Sequence, residues 1–462
     1  MTRTSGDTRA NQMLNEPVNR IIPKLAVPTI IAMLISSIYN MADTFFVGRI
    51  NTAASGAIGV VFSAMGIIQA IAFTVGMGSG TNMSRALGAG RREEAAQFVS
   101  LAFFTAFLTG TALAILGQIV LDPLMYLLGA TETIAPYARD YARYIFLAAP
   151  FMMSSLAMNN LLRFQGLTLY AMIGITTGGV LNMALDPLFI FGFGLGTAGA
   201  SIATALSQFV SFCILLWMCQ KKPEAISVSR RNFKPSLSMY GRMLSNGLPS
   251  LGRQGIASVS TILLNHVAQP WGDPAIAAMS IVSRYIMFIN SAVIGFGQGF
   301  QPVCAFCYGA GRYGRVKEAF LYCAKVATII LSVLAGASLL LSGQIVALFR
   351  DDPKVIEIGT VALRLQLLTM PLWGFYVMSN MMTQSIGLSA RSTIISTARQ
   401  GIFLIPMLAI LPALFGLFGL QAAQPSADIC SFILSILLVK PVLKQLERKN
   451  EEADYKVGGR RE

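Results

Sequence analysis

The chain has 462 residues, 54% of them hydrophobic and only 12% charged, with a mean hydropathy of +0.62. A soluble domain carries roughly twice that charged fraction, so the water-soluble globular classes are excluded. One membrane span needs about 20 apolar residues, which leaves room for about a dozen spans and none for a large soluble domain. The net charge of +14 is spread over tails and short loops; it is not the single basic stripe that binds nucleic acid.

Residues 1–20 are polar and carry Arg3, Arg9 and Arg20. No apolar run or cleavage site opens the chain, so no removable signal peptide is expected and the tail is expected to stay cytoplasmic. Charge-free runs then predict twelve spans: 21–47, 53–80, 95–121, 135–161, 167–191, 197–219, 243–268, 275–303, 318–345, 357–385, 393–415 and 417–441. The loops following even-numbered spans hold most of the Lys and Arg, including Arg85, Arg91, Arg163, Lys221, Arg230, Arg242, Arg312 and Arg391. That bias places both termini in the cytoplasm. The six cysteines lie in or beside apolar segments and read as buried thiols rather than a disulfide framework.

A shift of 221 residues superimposes landmarks of the two halves. Pro28 meets Pro249, Pro150 meets Pro371, Asn159 meets Asn380 and Gly166 meets Gly387. The run from Gly76 to Arg91 also resembles that from Gly295 to Arg312, with a two-residue gap. The expected fold is an all-α polytopic membrane protein of twelve helices. Its two six-helix repeats are related by a pseudo-twofold axis along the membrane normal, with a pathway between them. The expected units are a tail (1–20), a first lobe (21–219), a cytoplasmic linker (220–242), a second lobe (243–441) and a C-terminal tail (442–462).

Asp43 sits within the first span and Asp186 within the fifth, and a carboxylate in such a place is costly. Counted from the ends of their spans, Asp43, Asp186 and Thr204 all fall roughly 8–10 Å below the outer surface. Asn40 and Asn182 lie one turn below the two carboxylates, on the same helix faces. Two carboxylates, two amides and a hydroxyl at one depth suit a proton or a hard monovalent cation. The competing reading pairs Asp43 with Arg49 and makes Asp186 part of a kink at Pro187. Against it, the repeat equivalents are Leu264 and Met407, so the scaffold does not require either carboxylate. In the second half, Arg284 and Asp428 lie at similar depth and read as a buried polar pair, with a structural role favoured over a substrate site. Pro28 and Pro249 each break a backbone bond and predict bends in their helices.

Several motifs carry no weight. Gly194-Leu-Gly196-Thr-Ala-Gly199 fits a dinucleotide fingerprint, but it joins two spans and follows no strand. No phosphate-binding lysine motif, nucleophile–base set or zinc spacing is present. Neither an enzyme nor a cofactor is expected.

Taken together, Asn40-Met-Ala-Asp43-Thr-Phe-Phe-Val-Gly48, Asn159-Asn-Leu-Leu-Arg163-Phe-Gln-Gly166, Asn182…Asp186-Pro187, Ala200-Ser-Ile-Ala-Thr204 and Gly247-Leu-Pro249 are specific. With Gly299-Phe-Gln-Pro302…Gly309-Ala-Gly311 added, the chain resembles the multidrug and toxic compound extrusion (MATE) family, nearest its MepA-like bacterial branch, over nearly its whole length. The resemblance implies a secondary antiporter with two lobes around a V-shaped cavity. It implies export of small hydrophobic or cationic drugs from the bacterial inner membrane in exchange for H⁺ or Na⁺, hence antibiotic resistance. It assigns the coupling cation to Asp43, Asn182, Asp186 and Thr204, and a bend to Pro28. Membrane lipid is the expected surrounding, with no nucleic acid partner and a monomeric state. Other branches carry acidic residues in helices 7 and 10, where this chain has Arg253, Gln254, His266, Gln366 and Gln384. That departure leaves the first lobe as the coupling site. The alternative is a flippase for lipid-linked or polysaccharide substrates, which calls for a more basic cavity.

Overall fold

The computed structural model describes residues 5–458; Arg3, Arg460 and Arg461 of the tails lie outside it. Among the described residues every regular element is helical. A short helix α1 (Ser5–Asn15) precedes α2 (Val18–Gly48), α3 (Thr52–Gly88) and α4 (Arg92–Ile119). The short α5 (Leu121–Leu127) leads to α6 (Ala135–Phe164), α7 (Thr168–Pro187) and α8 (Gly196–Lys221). The second half runs α9 (Leu237–Ala268), α10 (Gly272–Gly309), α11 (Tyr313–Leu340) and the short α12 (Ser342–Phe349). It ends with α13 (Pro353–Thr369), α14 (Leu372–Ser385), α15 (Ser389–Thr397) and α16 (Leu404–Gly458).

Length and hydropathy resolve these helices into twelve crossings. The stretch Leu237–Gly309 is 73 residues long, far more than one bilayer accommodates, and it turns at Gly272, whose φ is 76°. Likewise Ser389–Ala453 spans 65 residues and breaks at Gly416, with φ 59° and ψ −136°. Helices α13 and α14 make one crossing bent by 57°. The bend falls beside Pro371, the repeat equivalent of Pro150, which lies inside the continuous α6. All six cysteines are unpaired; Cys219, Cys304, Cys307 and Cys323 are buried, but Cys430 is half-buried and Cys213 is exposed on α8. The sequence expectation of six buried thiols therefore fails at these two, whose helix faces point away from the core.

The repeat is visible in the backbone. Gly90 and Gly311 both have positive φ (75° and 73°), as do Gly166 and Gly387 (76° and 87°). Each pair is separated by 221 residues, and so are Gly78 and Gly299, which abut the first helix of the opposite half at Gly247 and Ala26; the glycine-rich runs therefore match without the gap assumed from sequence.

The lobes join on the half of the molecule that carries both termini. There α2 packs on α10, α9 packs on α3, and α3 meets α10 at the axis. Glycines set the spacing. A Cβ at Gly78 would lie 2.0 Å from the Met243 carbonyl oxygen, and one at its repeat mate Gly299 would lie 2.4 Å from Ala26 Cα. Small residues of this kind let apolar helices approach closely in a membrane. The first helix of each half starts inside the other half's core. Val18, Ile21, Ile22, Leu25 and Ala26 of α2 sit among second-half residues, and Met239 and Met243 of α9 sit among first-half residues.

Farther from the termini the lobes part. On α2, the face carrying Ala26, Ile30 and Ser37 meets α10, with Ser37 and Ser291 hydroxyls 2.7 Å apart. The next positions on those two faces, Met41 and Phe45 on α2 and Arg284 and Phe288 on α10, are exposed. Ile67 on α3 and Ile262 on α9 continue the other pair of faces and are also exposed. The result is a cleft that opens away from the termini.

The described parts of the end segments are mostly helical. The tail 1–20 contains α1 and the start of α2, and α16 stays helical into the residues expected to form a C-terminal tail. Within the linker, Lys222 to Ser236 carries a turn closed by the Ala225 amide on the Lys222 carbonyl and a second, tight turn at Arg230–Asn232.

Candidate functional site

The site is built by four helices of the first lobe. Asp43 lies five residues before the end of α2, where the helix has left α10 and packs on α7. It is 4% exposed, and its Oδ2 accepts a hydrogen bond from the Tyr141 hydroxyl of α6 at 2.9 Å. That phenol also lies beside the Thr204 hydroxyl of α8. The Asn182 amide of α7 donates to Thr204 Oγ1 at 3.2 Å and to Asp186 Oδ1 at 3.0 Å. Asp186 is fully buried and lies within the electrostatic reach of Asp43. The order Asp43–Tyr141–Thr204–Asn182–Asp186 is thus one continuous polar chain in an apolar interior.

Local sequence explains the placement. Pro187 follows Asp186 and closes α7; the next turn, Leu188–Gly192, widens into a π-helix. Gly178 and Gly179 lie about one turn before Asn182. A Cβ on Gly179 would stand 3.2 Å from the Tyr39 ring, and one on Gly178 would stand 3.0 Å from Ser211 Cβ, so the glycines let α7 lie close to α2 and α8.

The chain is incomplete as a hydrogen-bond network. Asp43 Oδ1, Asp186 Oδ2 and Asn182 Oδ1 are buried and have no partner. Buried oxygens without partners are costly, and three in one cluster mark a place suited to a bound proton or a small hard cation.

Four of the expected site residues, Asp43, Asn182, Asp186 and Thr204, come together. Asn40 does not join them: its amide donates to the Ser36 carbonyl of its own helix at 2.7 Å. Arg49 is no partner of Asp43 either, since its guanidinium stacks on the Phe45 ring at 4.4 Å. Pro28 lies inside α2, which remains helical from Val18 to Gly48. Tyr141 is the residue the sequence did not single out. It stands in the tyrosine-rich stretch Tyr137–Tyr144, which reads as an interfacial belt, and only the fold turns its hydroxyl toward Asp43.

The expected pair of Arg284 with Asp428 is not formed. Arg284 is exposed, on the face of α10 that also carries Ser291 and Gly295 and therefore looks toward the other lobe. Asp428 instead pairs with Arg399 at 2.7 Å. Arg399 lies in the π-helical turn Ala398–Phe403 and stacks on Trp373 at 4.1 Å. Asp428 Oδ1 also accepts from Gln424, and Oδ2 accepts from Thr369 and the Trp373 indole. Both oxygens are satisfied. This carboxylate fastens three helices together and leaves nothing for a cation.

Between the lobes, Arg163 of α6 is 1% exposed and donates to the Gln298 carbonyl and Gln301 Oε1 of α10. Gln301 in turn donates to Gln384, the repeat equivalent of Arg163, at 3.3 Å. Gln384 donates to the Asn246 carbonyl and the Ser250 hydroxyl of α9. These bonds hold the base of the cleft shut on the termini side.

The profile of the MatE family matches residues 28–188 and 249–410, one stretch in each half, starting at Pro28 and Pro249. The chain belongs to the MatE family. Among its relatives is the multidrug export protein MepA of Staphylococcus haemolyticus, 26% identical over 89% of this chain and 91% of that protein. MepA of Staphylococcus aureus is also 26% identical, over 92% and 94%. The fold is similar to an outward-facing conformation of a multidrug resistance MATE family transporter of the MOP superfamily. There the TM-score is 0.90 and the identity 25%, covering 97% of this chain and all of that one. MatE proteins are ion-coupled membrane transporters, so this MatE chain is a multi-pass transporter and not an enzyme.

Proposed function

We propose that this MatE protein is a secondary antiporter that exports hydrophobic and cationic compounds across the bacterial inner membrane. Both termini face the cytoplasm, the cleft opens outward, and inward movement of H⁺ or Na⁺ drives export. The observation that carries the reading is the contrast between the lobes. Asp43 and Asp186 each keep a buried oxygen without a partner, whereas Asp428 has both oxygens bonded. A cation arriving from outside is held by Asp43 and Asp186, with Asn182, Thr204 and Tyr141 orienting them.

Helix α2 links that site to the lobe interface. Its outer half carries Asp43 into the first lobe, and its inner half lies in the second lobe's core, where the Thr29 hydroxyl donates to the Gly295 carbonyl at 2.6 Å. Pro28 lies beside that contact and removes a backbone hydrogen bond, so bending there is cheap. Cation binding neutralises a carboxylate, changes the partners Asp43 prefers, and shifts α2 relative to α10. A transporter biases its conformations only by binding one of them better than the other, and α2 is the element that touches both sides.

The test uses Asp43→Asn and Asp186→Asn in a pump-deficient host and in proteoliposomes. Both variants insert and express normally and lose ethidium tolerance. In proteoliposomes of the parent protein, a pH gradient or a Na⁺ gradient drives substrate movement and identifies the ion. Full tolerance in both variants, or no transport under either gradient, refutes the reading.

A further inference from the structure

On the face carrying the termini, a pocket of about 300 Å³ lies between the lobes. Asn82, Arg85 and Arg91 line it from the first lobe with Glu94, and Arg242 and Tyr308 line it from the second half. Its charge is not balanced. Glu94 is shared by Arg91 at 2.7 Å and Arg242 at 2.6 Å. Arg85 donates only to neutral acceptors, Asn82 Oδ1 and the Ile386 carbonyl of the opposite lobe. Three guanidinium groups thus face one carboxylate. Lys449 of α16 adds a further ammonium behind Tyr308, 3.2 Å from its hydroxyl.

The repeat shows what this position holds on the other side. The 221-residue shift carries Arg91 to Arg312 and Glu94 to Arg315, at the start of α11. There α1 is seated: Met13 is 2% exposed, and its carbonyl oxygen accepts from Arg315 Nε at 2.9 Å. Arg315 also donates to the Glu16 carbonyl. The related groove is therefore closed by oxygen acceptors of the chain's own N-terminal segment. The segment equivalent to α1, residues 226–236, takes another course. It runs along α4, with the Ser229 amide donating to Ser100 Oγ and the Ile226 amide to Gln165 Oε1. The basic pocket stays open.

We propose that this pocket binds a phosphate group, carried by an anionic phospholipid headgroup or free in solution, and that its occupant ties the lobes together on the termini face. Planar guanidinium forks match phosphate oxygens in pairs. Arg85 and Arg91 come from one lobe, and Arg242 and Tyr308 from helices of the other half. A ligand held by both favours the conformation in which they are adjacent, which is the one open at the opposite face.

The experiment reads binding and conformation rather than transport, so it stands or falls apart from the export reading. Full-length protein carries spin labels at Leu169 and Ala390, a repeat-related exposed pair with one residue in each lobe. It is placed in phosphatidylcholine nanodiscs. One arm replaces part of the lipid with phosphatidylglycerol; the other adds inorganic phosphate. The expected result is a gain of the short-distance population and a raised thermal midpoint in at least one arm. A response to phosphatidylglycerol alone assigns a headgroup, and a response to inorganic phosphate assigns free anion. Arg91→Gln, at an exposed turn where unfolding is not a concern, weakens the response about tenfold, equivalent to about 1.4 kcal/mol. Arg230→Gln, an exposed charge in the linker outside the pocket, leaves it unchanged. No response in either arm, or an equal loss in Arg230→Gln, overturns the proposal.

Discussion

The glycine contacts between α3 and α10 give the sharpest test of how the lobes are held. A Cβ at Gly88 would lie 2.0 Å from the Phe306 carbonyl oxygen, and one at Gly309 would lie 2.1 Å from the Arg85 carbonyl oxygen. The obstructing atoms are backbone, so no side chain can turn aside. Restoring ordinary contact requires the helices to separate by about 1.4 Å at the axis, and overpacking of this kind costs about 1–3 kcal/mol. The strain exists only while the termini face is closed. Gly88→Ala therefore lowers the closed population relative to the alternative about 5- to 150-fold. Gly309→Ala acts on the same crossing, and the double variant costs less than the sum. Gly66→Ala on the same helix is the control, because its Cβ would meet nothing within 4 Å. Double electron–electron resonance between labels at Leu169 and Ala390 reads the outcome as a shift to longer distances in Gly88→Ala and Gly309→Ala but not in Gly66→Ala. An unchanged distribution in a folded Gly88→Ala protein refutes the claim that this crossing holds the face closed.

Other outcomes follow from the hydrogen-bond partners. Tyr141→Phe removes the one donor that Asp43 has among the described residues and costs about 1–3 kcal/mol at that buried group. Proteoliposomes should show slower cation-driven export, with the thermal midpoint little changed if the carboxylate takes up its cation in compensation. Arg399→Leu leaves Asp428 buried without a counter-charge and destabilises by about 3–5 kcal/mol, read as a fall in thermal midpoint. Arg399→Leu combined with Asp428→Leu recovers most of that loss, and Arg284→Leu leaves the midpoint unchanged.

Much of the architecture was legible because membrane insertion is read from composition alone. The twelve spans follow from charge-free runs, and the twofold relation follows from prolines and glycines whose backbone roles leave little freedom. The first-lobe carboxylates stood out because Asp43 and Asp186 are costly wherever they point. The failures share one cause: sequence fixes depth but not helix phase. Asn40 and Asp43 share a face by spacing, yet α2 is shared between two lobes, and Asn40 turns to its own backbone. Arg284 and Asp428 lie at one depth, but α10 directs Arg284 to the cleft. Arg399, in a π-turn that shifts the phase of its neighbours, reaches Asp428 instead. Tyr141 was hidden because a tyrosine near a span's end has a common alternative in the interfacial belt.

The two halves share a backbone and differ in chemistry, and the differences have a direction. At matched positions Asp43 corresponds to Leu264, Asp186 to Met407, Arg163 to Gln384 and Glu94 to Arg315. A symmetric backbone lets two similar lobes rock about a shared axis at little cost in either direction. In the proposed coupling one lobe responds to the cation and the other does not: the partnerless carboxylate oxygens among the described residues, Asp43 Oδ1 and Asp186 Oδ2, belong to the first lobe, while Asp428 is fully bonded in the second. Because the inner half of α2 belongs to the second lobe's core, a charge change at Asp43 would, in the proposed mechanism, act across the interface without a relay of intermediate side chains. The helix equivalent to α2 in the second half, α9, has the same crossed packing but carries Leu264 where α2 carries Asp43. Under the proposed mechanism the response is confined to one of two otherwise equivalent hinges, and that asymmetry would give a rocking motion its sense.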